Sequence, residues 1–112
     1  MIRSFKLTVL AVTAALVAAS AIAQNFPSRP VTIVVPYPPG GAFDPVARLY
    51  AQKLSDAWKV PVVIKNTPGA GGTIGINQAV KSKPDGYTVA LLSGSVSTFP
   101  HLYEKLPFDP IK

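Results

Sequence analysis

The sequence predicts an α/β fold, a βαβαβ unit built on a parallel sheet. Three observations point to it. Short apolar runs rich in β-branched residues recur at Val31–Val35, Val60–Ile64 and Tyr87–Leu92, the pattern of buried strands. Segments with helical apolar spacing lie between them, and strands alternating with helices imply parallel pairing through right-handed crossovers. Each strand also runs into a loop of glycine, proline or small hydroxyl residues. In such a sheet those three loops gather at one edge, outside the carboxyl ends of the strands, where α/β folds bind ligands.

The elements follow in order. Residues 25–30 form a lead-in with two prolines, Pro27 and Pro30. The first strand stops at Pro36-Tyr37-Pro38-Pro39-Gly40-Gly41, because proline cannot donate to a ladder and glycine frees the backbone. Asp44-Pro45 is a helix-start signal, with Asp44 as N-cap and Pro45 in the first turn. The helix runs to about Trp58. Ala47, Tyr50, Ala51, Leu54 and Trp58 form its apolar stripe, and this spacing puts all five in the core. The second strand, Val60–Ile64, leads into Asn66-Thr67-Pro68-Gly69-Ala70-Gly71-Gly72. A second helix over residues 73–82 ends ahead of Pro84, which pushes its predecessor out of helical geometry. Pro84-Asp85-Gly86 is a turn. The third strand opens into Ser93-Gly94-Ser95-Val96-Ser97-Thr98. One helical turn at residues 101–105 and an extended tail to Pro110 complete the pattern.

The first residues read as a leader rather than as fold. Arg3 and Lys6 precede the apolar stretch Leu7–Ala19, and Ser20-Ala21-Ile22-Ala23 ends in a small-x-small cleavage pattern. A signal peptide of residues 1–23 leaves Gln24 as the mature start. The stretch is short for a membrane anchor, which needs about 20 apolar residues. Removing Arg3 and Lys6 lowers the net charge from +6 to +4. The remaining cations are scattered, without the basic runs and interleaved aromatics of nucleic-acid binders. No cysteine is present, so thiolate zinc sites and disulfides are excluded.

Catalytic chemistry finds little support. His101 is the single histidine, and no Gly-x-Ser-x-Gly elbow accompanies it. The acids Asp44, Asp56, Asp85, Glu104 and Asp109 are dispersed, so no catalytic residue, metal site or cofactor is expected. Gly69-Ala70-Gly71-Gly72-Thr73-Ile74-Gly75 fails the dinucleotide fingerprint, because its third glycine would fall on Ile74. Solute binding fits better. A carboxylate needs N–H and O–H donors, which Gly40, Gly41, Thr73, Ser93, Ser95, Ser97 and Thr98 could supply. Two other readings stand beside it: an exported enzyme domain taking a phosphate ester through its glycine loops, and a remnant without function.

Several motifs in one order now point further. Arg29-Pro30-Val31, Val35-Pro36-Tyr37-Pro38-Pro39-Gly40-Gly41, Asp44, Ala47-Arg48, Asn66, Pro68–Gly75, Pro84–Thr88 and Leu102–Pro110 together resemble the substrate-binding proteins of tripartite tricarboxylate transporters, the Bug family. The resemblance spans residues 24–112. It implies the first lobe of a two-lobed periplasmic receptor, without enzymatic activity, that traps a small organic solute and presents it to a membrane permease. It places the solute contacts at Tyr37–Asp44, including Pro38, and at Ser93–Thr98. In the family Asp44 can bias the site toward ligands with an amino group; its cap role explains it equally well. Thr67, Lys65 and Lys59-Val60 depart from the family pattern, which predicts altered surface charge. Family members run about three times this length, the size of two ordinary domains. The chain therefore reads as an N-terminal fragment with the second lobe absent, expected to bind weakly or not at all by itself.

Overall fold

A computed structural model describes residues 26–110. The leader read in residues 1–23, with its cleavage point, lies outside the described residues. The order of elements is β1 (Val31–Val35), α1 (Phe43–Trp58), β2 (Val62–Asn66), α2 (Thr73–Val80), β3 (Thr88–Ala90) and α3 (Phe99–Leu102), with 3-10 turns at Ala70–Gly72 and Gly94–Thr98. The sheet is parallel throughout, in the order β2-β1-β3. Val31 pairs with Val62 and Val35 with Asn66, while Thr32 pairs with Thr88.

Central β1 is covered on both faces, which suits its unbroken apolar run. Successive side chains alternate across a strand. Ile33 and Val35 pack with Ala47 and Ala51 of α1, joined by Leu54, Val62, Ile64 and Leu91. Pro36 meets α2 on the opposite side, at Gly75. A Cβ on Gly75 would fall 2.6 Å from the Thr67 carbonyl and 2.8 Å from Pro36 Cβ, so only glycine lets α2 approach this closely. A second cluster joins Ile76 of α2 to Phe99 and Phe108.

Four boundaries after α1 differ from the sequence reading. β2 begins at Val62, past Pro61, because proline has no N–H for the ladder; it continues to Asn66, in register with Val35. β3 is shorter than Tyr87–Leu92 because β1 ends beside it, the last bridge being Leu91 N–H to the Val34 carbonyl at 3.0 Å. α2 stops at Val80, where the Ser82 hydroxyl donates back to the Gln78 carbonyl at 2.9 Å. The last helical turn falls at Phe99–Leu102, ahead of residues 101–105.

The apolar stripe of α1 is also narrower than its spacing suggested. Ala47 and Ala51 are buried and Leu54 half-buried, but Tyr50 is 56% exposed and Trp58 37% exposed. Tyr50 and Trp58 are therefore not core residues. Among the described residues the sheet has three strands, and Trp58 makes an edge contact with Phe26, at 6.5 Å between centroids.

Candidate functional site

The three loops do meet at the carboxyl edge of the sheet. The first begins at Pro36, fully buried at the end of β1, and carries Tyr37 beside it. Tyr37 stacks on Phe43 of α1, with ring centroids 4.5 Å apart and planes 20° from parallel. That stacking aims the phenol across the sheet. Its hydroxyl donates to Ser93 Oγ at 3.0 Å and accepts from Ser93 N–H at 3.4 Å. Ser93 in turn hydrogen-bonds Ser95 through their hydroxyls. The loops after β1 and β3 are thus bridged side chain to side chain.

Asp44 ties the first loop to the second. α1 begins one residue earlier than the sequence suggested, at Phe43, and its N-cap is Ala42, which makes no side-chain cap. Asp44 is therefore not the N-cap; it lies in the first turn, with its side chain only 7% exposed. One oxygen, Oδ2, accepts from Gly40 N–H at 3.1 Å and from Arg48 Nε at 2.9 Å. The other, Oδ1, accepts from Asn66 Nδ2 at 3.3 Å. Asn66, the last residue of β2, also donates to the Tyr37 carbonyl at 3.2 Å. Gly40 sits at φ +77°, the left-handed region that glycine enters without steric cost, and this turns its N–H toward the carboxylate. The Arg48 hydrogen bond, followed by that of Gly40, holds the Asp44 pKa below the usual aspartate value.

The remaining candidate residues divide in two. Pro38 and Gly41 shape the first loop, where Gly41 N–H donates to the Pro38 carbonyl at 3.3 Å and Asp44 N–H to the Gly41 carbonyl at 3.1 Å. Thr73, Ser97 and Thr98 turn inward on their own turns. Their hydroxyls donate to the carbonyls of Ala70 at 2.9 Å, Gly94 at 2.8 Å and Ser95 at 2.7 Å. The structure therefore brings Tyr37, Gly40, Asp44, Ser93 and Ser95 into one network, and leaves Thr73, Ser97 and Thr98 capping local turns. Asn66 and Arg48, absent from the candidate residues, complete that network. Asn66 as the first residue of the glycine-rich loop after the second strand was the available signal; Arg48, one turn after Asp44, was the other.

Among the described residues no group of three or more His, Asp or Glu side chains could hold a metal ion, and no helix is long and apolar enough to cross a membrane. The described histidine, His101, is exposed on α3.

Residues 46–112 match the family model TctC, the tripartite tricarboxylate transporter family receptor. The chain belongs to this family. Among its relatives is the protein BugT of Bordetella pertussis, 47% identical over 79 residues, covering 70% of this chain and 24% of BugT. The periplasmic binding protein BugD superposes with a TM-score of 0.72 at 42% identity, over 76% of this chain and 28% of BugD. The R. palustris protein Rpa4515, solved with adipate, superposes with a TM-score of 0.74 at 35% identity, over 79% of this chain and 30% of that protein. The chain thus spans about a quarter of the curated relative it matches. The expected family and α/β fold are both met, and the matched TctC receptors carry this βαβαβ unit within a longer chain.

Proposed function

We propose that residues 24–112 supply solute-facing loops of the first lobe of a periplasmic receptor. That receptor takes a small carboxylate and delivers it to the membrane permease of a tripartite transporter. The bridge from Tyr37 to Ser93 carries this reading. It fixes two donor-bearing loops beside each other at the carboxyl edge of a parallel sheet, where α/β folds bind ligands, in a family of transporter receptors. The adipate of Rpa4515 gives the chemical class: an anion recognised through N–H and O–H donors. Membership in a family of transporter receptors supports binding rather than turnover as the role. A signal peptide in residues 1–23 accounts for export.

Two-lobed receptors close a hinge over the solute; residues 24–112 taken alone offer contacts from these loops only, so weak binding is expected of this segment by itself. Isothermal titration of the purified protein against adipate, succinate and glycerol phosphate tests the reading. Weak saturable heats with the dicarboxylates, exceeding those with the phosphate ester, are expected. Glycerol phosphate bound more tightly than either dicarboxylate would favour an enzyme-like phosphate site and overturn the proposal.

A further inference from the structure

We infer that Asp44 is a positioning residue whose charge is neutralised within the protein, so that the site takes carboxylates without selecting for an ammonium group. This rests on the receptor reading above and deepens it.

The argument starts from the acceptor capacity of a carboxylate. Two oxygens offer about four lone-pair sites. Three are occupied by Gly40 N–H, Arg48 Nε and Asn66 Nδ2, at 2.9 to 3.3 Å. The side chain is 7% exposed, so little of it is left to face a solute. Its partners also lie on three separate pieces of chain: the loop after β1, the first turns of α1 and the end of β2. Asn66 then carries the linkage to the Tyr37 carbonyl, and Tyr37 to Ser93. Asp44 therefore sits at the root of a chain of hydrogen bonds that spans all three strand ends.

Charge gives the specificity. A free aspartate at this edge would attract an ammonium-bearing solute and repel a plain dicarboxylate. Arg48 compensates that charge at 2.9 Å, while its own side chain is 62% exposed. The Gly40 amide, turned toward Oδ2, is correspondingly withdrawn from any solute. Within the Tyr37–Ser93–Ser95 chain the Tyr37 proton goes to Ser93 Oγ and one serine hydroxyl donates to the other, so one serine O–H remains for an anion, a donor indifferent to whether the solute carries nitrogen.

Succinate and aspartate differ only in the α-ammonium and form the test pair. Their affinities are measured by NMR titration of the wild-type protein, Asp44→Asn and Arg48→Gln. Asp44→Asn leaves Arg48 uncompensated and is expected to weaken both while shifting the ratio toward succinate by at most about fivefold, the scale of one partly screened charge. Arg48→Gln, which exposes the uncompensated carboxylate, is expected to shift the ratio toward aspartate by roughly twofold to fivefold, the scale of one partly screened charge pair. A tenfold loss of aspartate preference in Asp44→Asn alone would mean that Asp44 contacts the ammonium, and would overturn the inference. So would an unchanged ratio in Arg48→Gln. If the segment alone binds neither probe, hydrogen exchange decides the positioning role. Faster exchange at Gly40 N–H in both Arg48→Gln and Asp44→Asn supports it, and unchanged exchange in both refutes it.

Discussion

The two ends of the sheet carry ion pairs of nearly equal length in opposite settings. At the carboxyl end Arg48 meets Asp44 at 2.9 Å, with the aspartate 7% exposed. At the amino end Arg29 meets Asp85 at 2.8 Å, with side chains 58% and 36% exposed. Arg29 also lies over the Tyr87 ring, 3.9 Å from its centroid, and Tyr87 accepts from Ser28 N–H at 3.0 Å. The amino end is the more cationic. Arg29, Lys81 and Lys83 line a hollow of about 530 Å³ there, against a single acid, Asp85, and with Thr32, Ser82 and Thr88. On charge alone a dicarboxylate belongs at that end. The carboxyl end offers instead a compensated acid and hydroxyls held in place by a continuous hydrogen-bond network. Anion recognition with direction depends on donors that are fixed before the ligand arrives. Among the described residues the carboxyl-end network links all three strand ends, whereas the amino-end bonds join the lead-in to the turn before β3 and are exposed.

The comparison can be broken most strongly through packing. Gly75 lets α2 rest against Pro36 and Thr67, the residues that follow β1 and β2. Gly75→Ala forces α2 away from them and is expected to destabilise the protein by about 1–3 kcal/mol, the cost of overpacking a tight contact. Chemical denaturation measures it, and an effect within error of zero would show that the carboxyl-end loops tolerate displacement. A smaller effect is expected at the other end. A double-mutant cycle on Arg29→Ala and Asp85→Ala should give a coupling of about 0.2–1 kcal/mol that shrinks in 1 M salt, as for exposed pairs. A larger, salt-insensitive coupling would make the amino end as organised as the carboxyl end and erase the distinction.

Much of this was legible in the sequence because local and global signals agree. β1 reads as a buried strand and is one, since both its faces are covered. The three loops were placed at one edge from alternation alone, and they meet there. Asp44 was read as a cap because the pattern Asp-Pro ahead of a helix is locally convincing. Its actual partners, Gly40 and Asn66, are set by the left-handed turn at Gly40 and by the register of β2, neither of which spacing reveals. Tyr50 and Trp58 lie on the α1 stripe by periodicity, but periodicity cannot say how wide the sheet beneath will be. Phe108 lies in a tail that carries no apolar periodicity, so nothing local marks it as core. It is buried because the tail folds back onto Ile76 and Phe99, a long-range contact without a local signature. Ser97 and Thr98 were grouped with Ser93 and Ser95 by composition; the 3-10 turn at Gly94–Thr98 separates them by direction.

The most direct measurement maps where a dicarboxylate settles. The 15N-labelled protein is titrated with adipate, and amide shifts are followed at both ends of the sheet. Saturable shifts at Tyr37–Gly41 and Ser93–Ser95, with only slight, salt-sensitive changes near Arg29, Lys81 and Lys83, are the result this account predicts. Saturable shifts confined to Arg29, Lys81 and Lys83 would show that net charge, rather than the tethered loops, decides where the anion goes, and would contradict it.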